Sequence, residues 1–289
     1  MNYLAHFGLR EPPFGITPDT SFFYPCRSSQ LALNTVLVAL ENGEGFIKII
    51  GEVGTGKTML CRKLLATLDD AKWVSAYIPN PNLEPRSLFF AVAEELELGL
   101  DPALDQYRLL KGITLSLLDL ARGGKRVVLC MDESQAMPLD TLEALRLMTN
   151  LETEKRKLLQ VVLFGQPELD RKLESESVRQ LRQRITFHHD LQTLDEEEVG
   201  SYFTHRMRTA GYTGAMLLSP SARRALFRAS RGFPRLVNIL SHKSLLLLYG
   251  ENGTRLERRH IRAAVIDTPA AVQPRRWWPW PRMKYSRAE

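Results

Sequence analysis

Residues 46 to 58 read FIKIIGEVGTGKT, an apolar run that breaks into a glycine-rich turn, and the amphipathic stretch Met59 to Leu68 follows. Such a turn lets successive backbone N–H groups converge on a polyphosphate while a helix N-terminus aims its partial positive charge at the same point. Gly51, Gly54 and Gly56 let the backbone approach, and Glu52, Val53 and Thr55 complete the loop between them. Lys57 supplies a mobile ammonium for the β- and γ-phosphates, and Thr58 a hydroxyl for the Mg²⁺ that accompanies the nucleotide. With a strand before it and a helix after it, the loop predicts a nucleotide-binding α/β protein.

A phosphate loop alone only binds, so hydrolysis needs a second element. Residues 126 to 133, RVVLCMDE, supply one. The unbroken apolar run Val127 to Met131 describes a strand buried on both faces, as in a parallel sheet covered by helices. Ligands of open α/β sheets lie beyond the carboxyl ends of the strands, which places Asp132 to hold Mg²⁺ and Glu133 to act as base or water-orienter. The alternative for this pair is a solvated acidic strand end. The Asn-Lys-x-Asp signal that reads guanine is absent, which favours ATP over GTP.

Working outward, strands are expected at Phe46 to Ile50, Lys72 to Ile78, Val127 to Met131, Leu158 to Phe164 and Ile185 to Asp190. The intervals between them are long enough for helices, which predicts a five-stranded parallel sheet with right-handed crossovers and helices on both faces. The β–α unit from 72 to about 120 lies in sequence between the loop strand and the Asp132 strand, an arrangement used by ATPases with an additional catalytic glutamate. After about residue 192 the strand pattern stops. Thr193 and Asp195 precede Glu196 and Glu198 with capping-box spacing and open a helix to about Thr209, and further helices start at Ser219-Pro220, at Pro234 and at Arg255 or Glu257. Gly211, Gly232 and Gly250 are the stops. The expected organisation is an N-terminal segment (1–45) covering the nucleotide site, an α/β core (46–192), a small all-α lid (193–268) and a basic tail (269–289). Within the N-terminal segment, Phe14 and Tyr24 are candidates to cover an adenine ring, with packing against the sheet edge as the alternative.

With 289 residues, 44% hydrophobic and 25% charged, the chain has the composition of soluble globular proteins. Three scattered cysteines, Cys26, Cys61 and Cys130, argue against a disulfide framework and for a reducing compartment. No stretch approaches the roughly 18 apolar residues of a membrane span, and the N-terminus has no basic start or apolar core, so a cytoplasmic location is expected. The formal charge of +6 is largely local, because residues 274 to 289 hold five Lys or Arg against one Glu. The body is near neutral, and nucleic acid is not an expected partner on charge. The stretch PRRWWPWPRMKYSR (274 to 287) is either a disordered end or an interfacial anchor, with indoles at headgroup level and Arg275, Arg276, Arg282 and Lys284 on anionic lipid or an acidic partner.

An α/β nucleotide core followed by a helical lid resembles the AAA+ class of P-loop NTPases. That resemblance implies that Gln166, in FGQPEL past the fourth strand, is the polar sensor of the γ-phosphate and attacking water. It implies that Arg235, in GFPRLVN, reaches from the lid to the nucleotide. Arg182 and Arg184, in RQLRQRITF, match the region that presents an arginine finger to a neighbouring subunit, which would make activity depend on self-association. A solvated face formed with Arg179 is the alternative for those two.

The combination FGL-x-x-x-PF (7–14), TPD (17–19), GEGFIKIIGEVGTGKT (43–58), MDESQ (131–135), TNLET (149–153), GQPEL (165–169), LRQRI (181–185) and GFPR (232–235) resembles the ExeA-type ATPases of general secretion. Within them it is most similar to the branch serving mannose-sensitive haemagglutinin (MSHA) pilus biogenesis. The resemblance spans about residues 3 to 268. It implies ATP-driven assembly of a type IV pilus or secretion apparatus at the inner membrane of a Gram-negative bacterium. Members with the secretion role continue into a membrane segment and a peptidoglycan-binding domain; this chain stops after a short tail, and direct cell-wall contact is not expected. Ser134 stands where alanine is common in the acidic box. Two alternatives share the same core: a DNA-handling ATPase of the transposition-helper or origin-recognition kind, for which no added DNA-reading domain is legible, and an ATP-gated scaffold with little turnover.

Overall fold

The computed structural model describes residues 3–101, 103–152 and 157–273. Strands β1 (Phe46–Ile50), β2 (Trp73–Ile78), β3 (Arg126–Met131), β4 (Gln160–Gly165) and β5 (Ile185–Asp190) form a five-stranded sheet in the order β2-β3-β4-β1-β5. Every pairing is parallel. The central strands β3 and β4 are buried almost throughout, which accounts for their unbroken apolar sequence, whereas edge strand β5 alternates between half-buried and exposed residues. β1 and β5 have the expected limits. β4 starts two residues later than expected, because Leu158 donates its N–H to Leu151 beside the antiparallel bridge between Glu152 and Lys157.

The helices in chain order are α1 (Tyr3–His6), α2 (Arg27–Glu41), α3 (Lys57–Leu65), α4 (Pro85–Glu95), α5 (Gln106–Arg122), α6 (Leu139–Met148), α7 (Glu168–Leu173) and α8 (Arg179–Arg184). Beyond β5 come α9 (Glu196–Thr209), α10 (Pro220–Ser230), α11 (Pro234–Gly250) and α12 (Arg258–Ile266). Helices α4 to α8 cover one sheet face through Leu88, Phe89, Ile113, Leu142, Leu145 and Leu181. Helices α2 and α3 cover the other through Val36, Leu40, Leu60 and Leu64 against Ile47, Ile49, Val128 and Phe164. Alternate residues of one strand thus point to opposite cores, as the two-residue period of a strand requires. The fold class is the one the sequence predicts: a five-stranded parallel α/β sheet with helices on both faces, followed by a helical C-terminal region.

That helical region has its own core, in which Phe203, Met207, Leu226, Leu240 and Ile261 are buried. The capping box at Asp195 and Glu198 opens α9, and Ser219 caps α10 by accepting from the Ala222 N–H. Gly232, at φ +76°, lies where any Cβ would fall 1.9 Å from the Leu194 carbonyl oxygen, and Leu194 donates its N–H to the Gly232 carbonyl. Only glycine allows this contact, which ties the turn between α10 and α11 to the irregular segment that follows β5. The N-terminal stretch joins the same core through Phe7, Leu9, Phe14 and Phe22. Residues 27–41 instead form α2 on the sheet. The tryptophan-rich stretch at 274–287 lies outside the described residues.

Candidate nucleotide site

β4 sits between β1 and β3, so the segments leaving the carboxyl ends of these three strands emerge side by side. They are the 51–58 loop, Asp132-Glu133 and Gln166. The order also settles where the intervening β–α unit goes: β2 lies at the sheet edge beside β3, and β4 fills the space between the loop strand and the Asp132 strand.

The loop opens directly into α3, with Gly56 at φ 101° as the residue before the helix. Gly54 has φ +86°, and a Cβ there would lie 2.9 Å from Cβ of Arg235. The Arg235 N–H donates to the Gly54 carbonyl at 3.3 Å, so the start of α11 rests on the loop. Lys57 is 5% exposed, and its Nζ donates to the carbonyls of Gly51 at 2.7 Å and Glu52 at 3.1 Å. Burial lowers the pKa of its ammonium from the ordinary value, opposed by the carboxylates of Glu133 and Asp132.

The Thr58 hydroxyl donates to Asp132 Oδ2 at 2.5 Å, and the Glu133 N–H to Asp132 Oδ1 at 2.9 Å. Burial raises the pKa of the Asp132 carboxyl, opposed by those two hydrogen bonds. A hydroxyl and a buried carboxylate side by side at the start of a phosphate-loop helix are the hard oxygen donors that Mg²⁺ takes, so the residues fit that ion. A cation there would relieve the cost of burying the Asp132 charge.

Glu133 is left-handed at φ 49°, a sparsely populated region for a residue with a side chain. This backbone turns its carboxylate back over the sheet end. There Oε2 accepts from Gln166 Nε2 at 3.0 Å and from Gln135 Nε2. Gln135 in turn accepts the Gln166 N–H at 3.0 Å. Gln135 was not singled out from sequence, although it stands in the quoted MDESQ. The available signal was its place two residues after Glu133, in the short helical turn that the acidic pair opens.

A cavity of about 230 Å³ lies over the loop and takes in residues 53–59, Glu133, Pro234 and Arg235. Its remaining wall comes from Gly15, Ile16, Thr17 and Pro18, from Phe22 to Tyr24, from Cys26 and Ser29, and from Leu194, Tyr202, Arg206 and Asn238. Arg206 organises that wall. It is 4% exposed, donates to the carbonyls of Pro13 and Gly15 and to the Tyr202 hydroxyl, and lies 4.7 Å from the Phe22 ring centroid. The Tyr202 hydroxyl donates to Asn238 at 2.9 Å. Sequence reading missed Arg206, Tyr202 and Asn238, whose neighbours lie up to 223 residues away along the chain.

Of the two aromatic candidates, Tyr24 lines the cavity, with its ring centroid 5.8 Å from that of Tyr202. Phe14 does not. Its ring is 5.0 Å from that of Phe203 in the helical core, and it packs there rather than over a base or the sheet edge, because that core offers it full burial.

The structure brings Lys57, Thr58, Asp132, Glu133, Gln166 and Arg235 together, but not Arg182 or Arg184. These two lie on α8 immediately before Ile185, which pairs with Phe46 at the opposite end of β1 from the loop. Arg182 is exposed and Arg184 half-buried. No helix among the described residues is long and apolar enough to cross a membrane.

Residues 40–173 match the family described as AAA domain. Over 275 residues, 95% of this chain, the sequence is 38% identical to general secretion pathway protein A of Aeromonas hydrophila. The chain spans 50% of the length of that relative. Among solved structures, the ORC2 protein of Aeropyrum pernix, in ADPNP and ADP complexes, superposes with a TM-score of 0.62 at 14% identity, covering 87% of this chain and 72% of that one. Cdc6p of Pyrobaculum aerophilum gives 0.64 at 16%, covering 87% and 69%. The RuvB Holliday junction branch migration motor of Thermotoga maritima gives 0.54 at 17%, covering 83% and 66%. Residues 40–173 thus resemble the AAA domain, the chain is similar over 95% of its length to half of general secretion pathway protein A, and it shares its fold with these solved structures.

Proposed function

We propose that this chain is an Mg²⁺-dependent ATP hydrolase that drives assembly or remodelling of a type IV, MSHA-like pilus or a related secretion apparatus at the inner membrane. The observation that carries hydrolysis is the convergence at one sheet end of the Thr58–Asp132 pair and of Glu133 held between Gln135 and Gln166. The amides of residues 51–58 bind the phosphates, and Lys57 exchanges its loop carbonyls for the β- and γ-oxygens. Thr58 and Asp132 would hold Mg²⁺, which when bound neutralises charge on the phosphates. Glu133 accepts the proton of the attacking water as the bond to the γ-phosphorus breaks, and Gln166 fixes the carboxylate that does so. Arg235 stands where it reaches the nucleotide from α11. Arg182 or Arg184, remote from their own loop, serve the site of a neighbouring copy in a homo-oligomer.

The secretion and pilus reading is supported by the 38% identity to general secretion pathway protein A and by the motif set running from FGL to GFPR. The DNA-handling alternative draws on fold likeness at 14–17% identity, which carries the fold alone. Phosphate release measured with pilus-assembly or secretion proteins and, separately, with duplex DNA tests the reading. We expect stimulation by the assembly proteins and none by DNA. Strong stimulation by DNA alone would overturn the assignment of partner.

A further inference from the structure

Helices α10 and α12 start side by side and run in the same direction. Leu218 and Leu256 form a parallel bridge just ahead of them, and the Ser219 hydroxyl donates to the Glu257 carboxylate across their first turns. Spacing of four residues on each helix then aligns Arg224 with Arg228 on α10 and Arg258 with Arg262 on α12. All four line one groove of about 300 Å³ between the helices. Its floor is apolar, with Ala229, Ile261 and Val265 buried beneath the arginines. The chain after α12 folds back across one end, where the Val272 N–H donates to the Ala229 carbonyl at 2.9 Å.

Neighbouring arginines are neutralised: Arg223 pairs with Glu196, Arg255 with Glu257 and Arg259 with Glu251. The four in the groove have no ion-pair or hydrogen-bond partner among the described residues. The carboxylate beside the groove, that of Glu257, is engaged by Ser219, by Arg255 and at 3.5 Å by Ser221. Four uncompensated guanidiniums around one concavity repel one another, and their planar donors match phosphate oxygens two at a time.

We propose that this groove binds the phosphate headgroup of an anionic phospholipid and seats the helical region on a membrane surface. Two observations select a lipid over nucleic acid. The sequence continues from the groove, at Gln273, directly into PRRWWPWPR, which places three tryptophans and three arginines within nine residues of it, the composition of a membrane–water interface. The near balance of charge over the rest of the chain also offers no extended basic track for a nucleic-acid backbone.

The test is co-sedimentation of the full chain with phosphatidylcholine vesicles, with and without phosphatidylglycerol. We expect binding only to the anionic vesicles. Each Arg→Gln substitution should weaken it about fivefold, and the pair Arg228→Gln with Arg262→Gln about thirtyfold. The same two positions changed to Lys should lose less, which separates loss of charge from loss of fold. Equal loss in the Gln and Lys proteins, or unchanged binding by the Gln protein, would overturn the proposal. So would displacement of the protein from vesicles by inorganic phosphate at matched ionic strength, which would make this a free-phosphate site. Tighter binding to duplex DNA than to anionic vesicles, lost with the same arginines, would assign the groove to nucleic acid instead.

Discussion

At its phosphate end the cleft is built from residues 51–58 and 132–135, short contiguous runs attached to the carboxyl ends of buried parallel strands. At its other end the wall is assembled from residues 15–18, 22–24, Leu194, Tyr202, Arg206 and Asn238, segments scattered over the first 240 residues of the chain. The first end is held by the backbone, through the loop, the left-handed Glu133 and the sheet register. The second is held by side chains, above all by the three donors of Arg206 on Pro13, Gly15 and Tyr202. The two ends should therefore fail differently when mutated, the phosphate end in binding and turnover of the triphosphate, the far end in affinity alone.

The largest of the following effects is expected at Lys57. Lys57→Ala removes the charged donor proposed for the phosphate oxygens and should weaken ATP binding by about 100-fold or more, read by equilibrium binding of a fluorescent ATP analogue. A loss below fivefold would break the assignment of that end. Gln135→Ala leaves the loop intact but frees one side of the Glu133 carboxylate. It should lower kcat about tenfold with KM for ATP little changed, and a rise in KM at constant kcat would move Gln135 out of the reaction and into binding.

Arg206→Lys keeps the charge but loses the fork that holds the 13–15 segment. KM for ATP should rise roughly 2–10-fold while kcat stays near wild type, which would sharpen the contrast between the two ends. A fall in kcat without a change in KM would erase it.

The smallest effect is one of stability. Burial raises the folded-state pKa of Asp132, so the fold disfavours its charged form. The resulting destabilisation is absent below its ordinary value of 3.8 and complete above the raised one, hence present at neutral pH. Asp132→Asn should raise Tm at neutral pH by about 2–4 °C while weakening Mg²⁺-dependent nucleotide binding, and the gain should shrink as pH falls toward 3.8. A Tm gain that persists unchanged at acid pH would show that charge burial is not its cause.

The same contrast explains what was legible in the sequence. The loop, the acidic pair and the strand limits of β1 and β5 follow from glycines, capping residues and apolar runs within a few positions of one another. The starts of α9, α10 and α11 follow likewise from Asp195, Pro220 and Pro234. Gln166 was placed only through the AAA+ resemblance, and it meets Glu133 because β4 falls between β1 and β3. Arg206 was not legible, since a lone arginine on an amphipathic helix reads as solvated until the 13–15 carbonyls are folded over it. Phe14 was left between a nucleotide cover and the sheet edge because sequence could not distinguish apolar destinations, and the helical core took it instead. The four-arginine groove escaped notice for a related reason: two i,i+4 pairs offset by 34 residues become one charge cluster only when α10 and α12 start at a shared bridge.

The central claim is that the 51–58 loop holds a triphosphate that the 132–133 dyad helps to cleave, and the most direct test is the fate of radiolabelled ATP on wild type and on Glu133→Gln with Mg²⁺ present. Wild type should release phosphate and carry ADP. The variant should bind ATP with similar affinity, turn it over about 10²–10⁴-fold more slowly and be recovered with ATP intact. Equal rates of phosphate release from the two proteins would contradict the account.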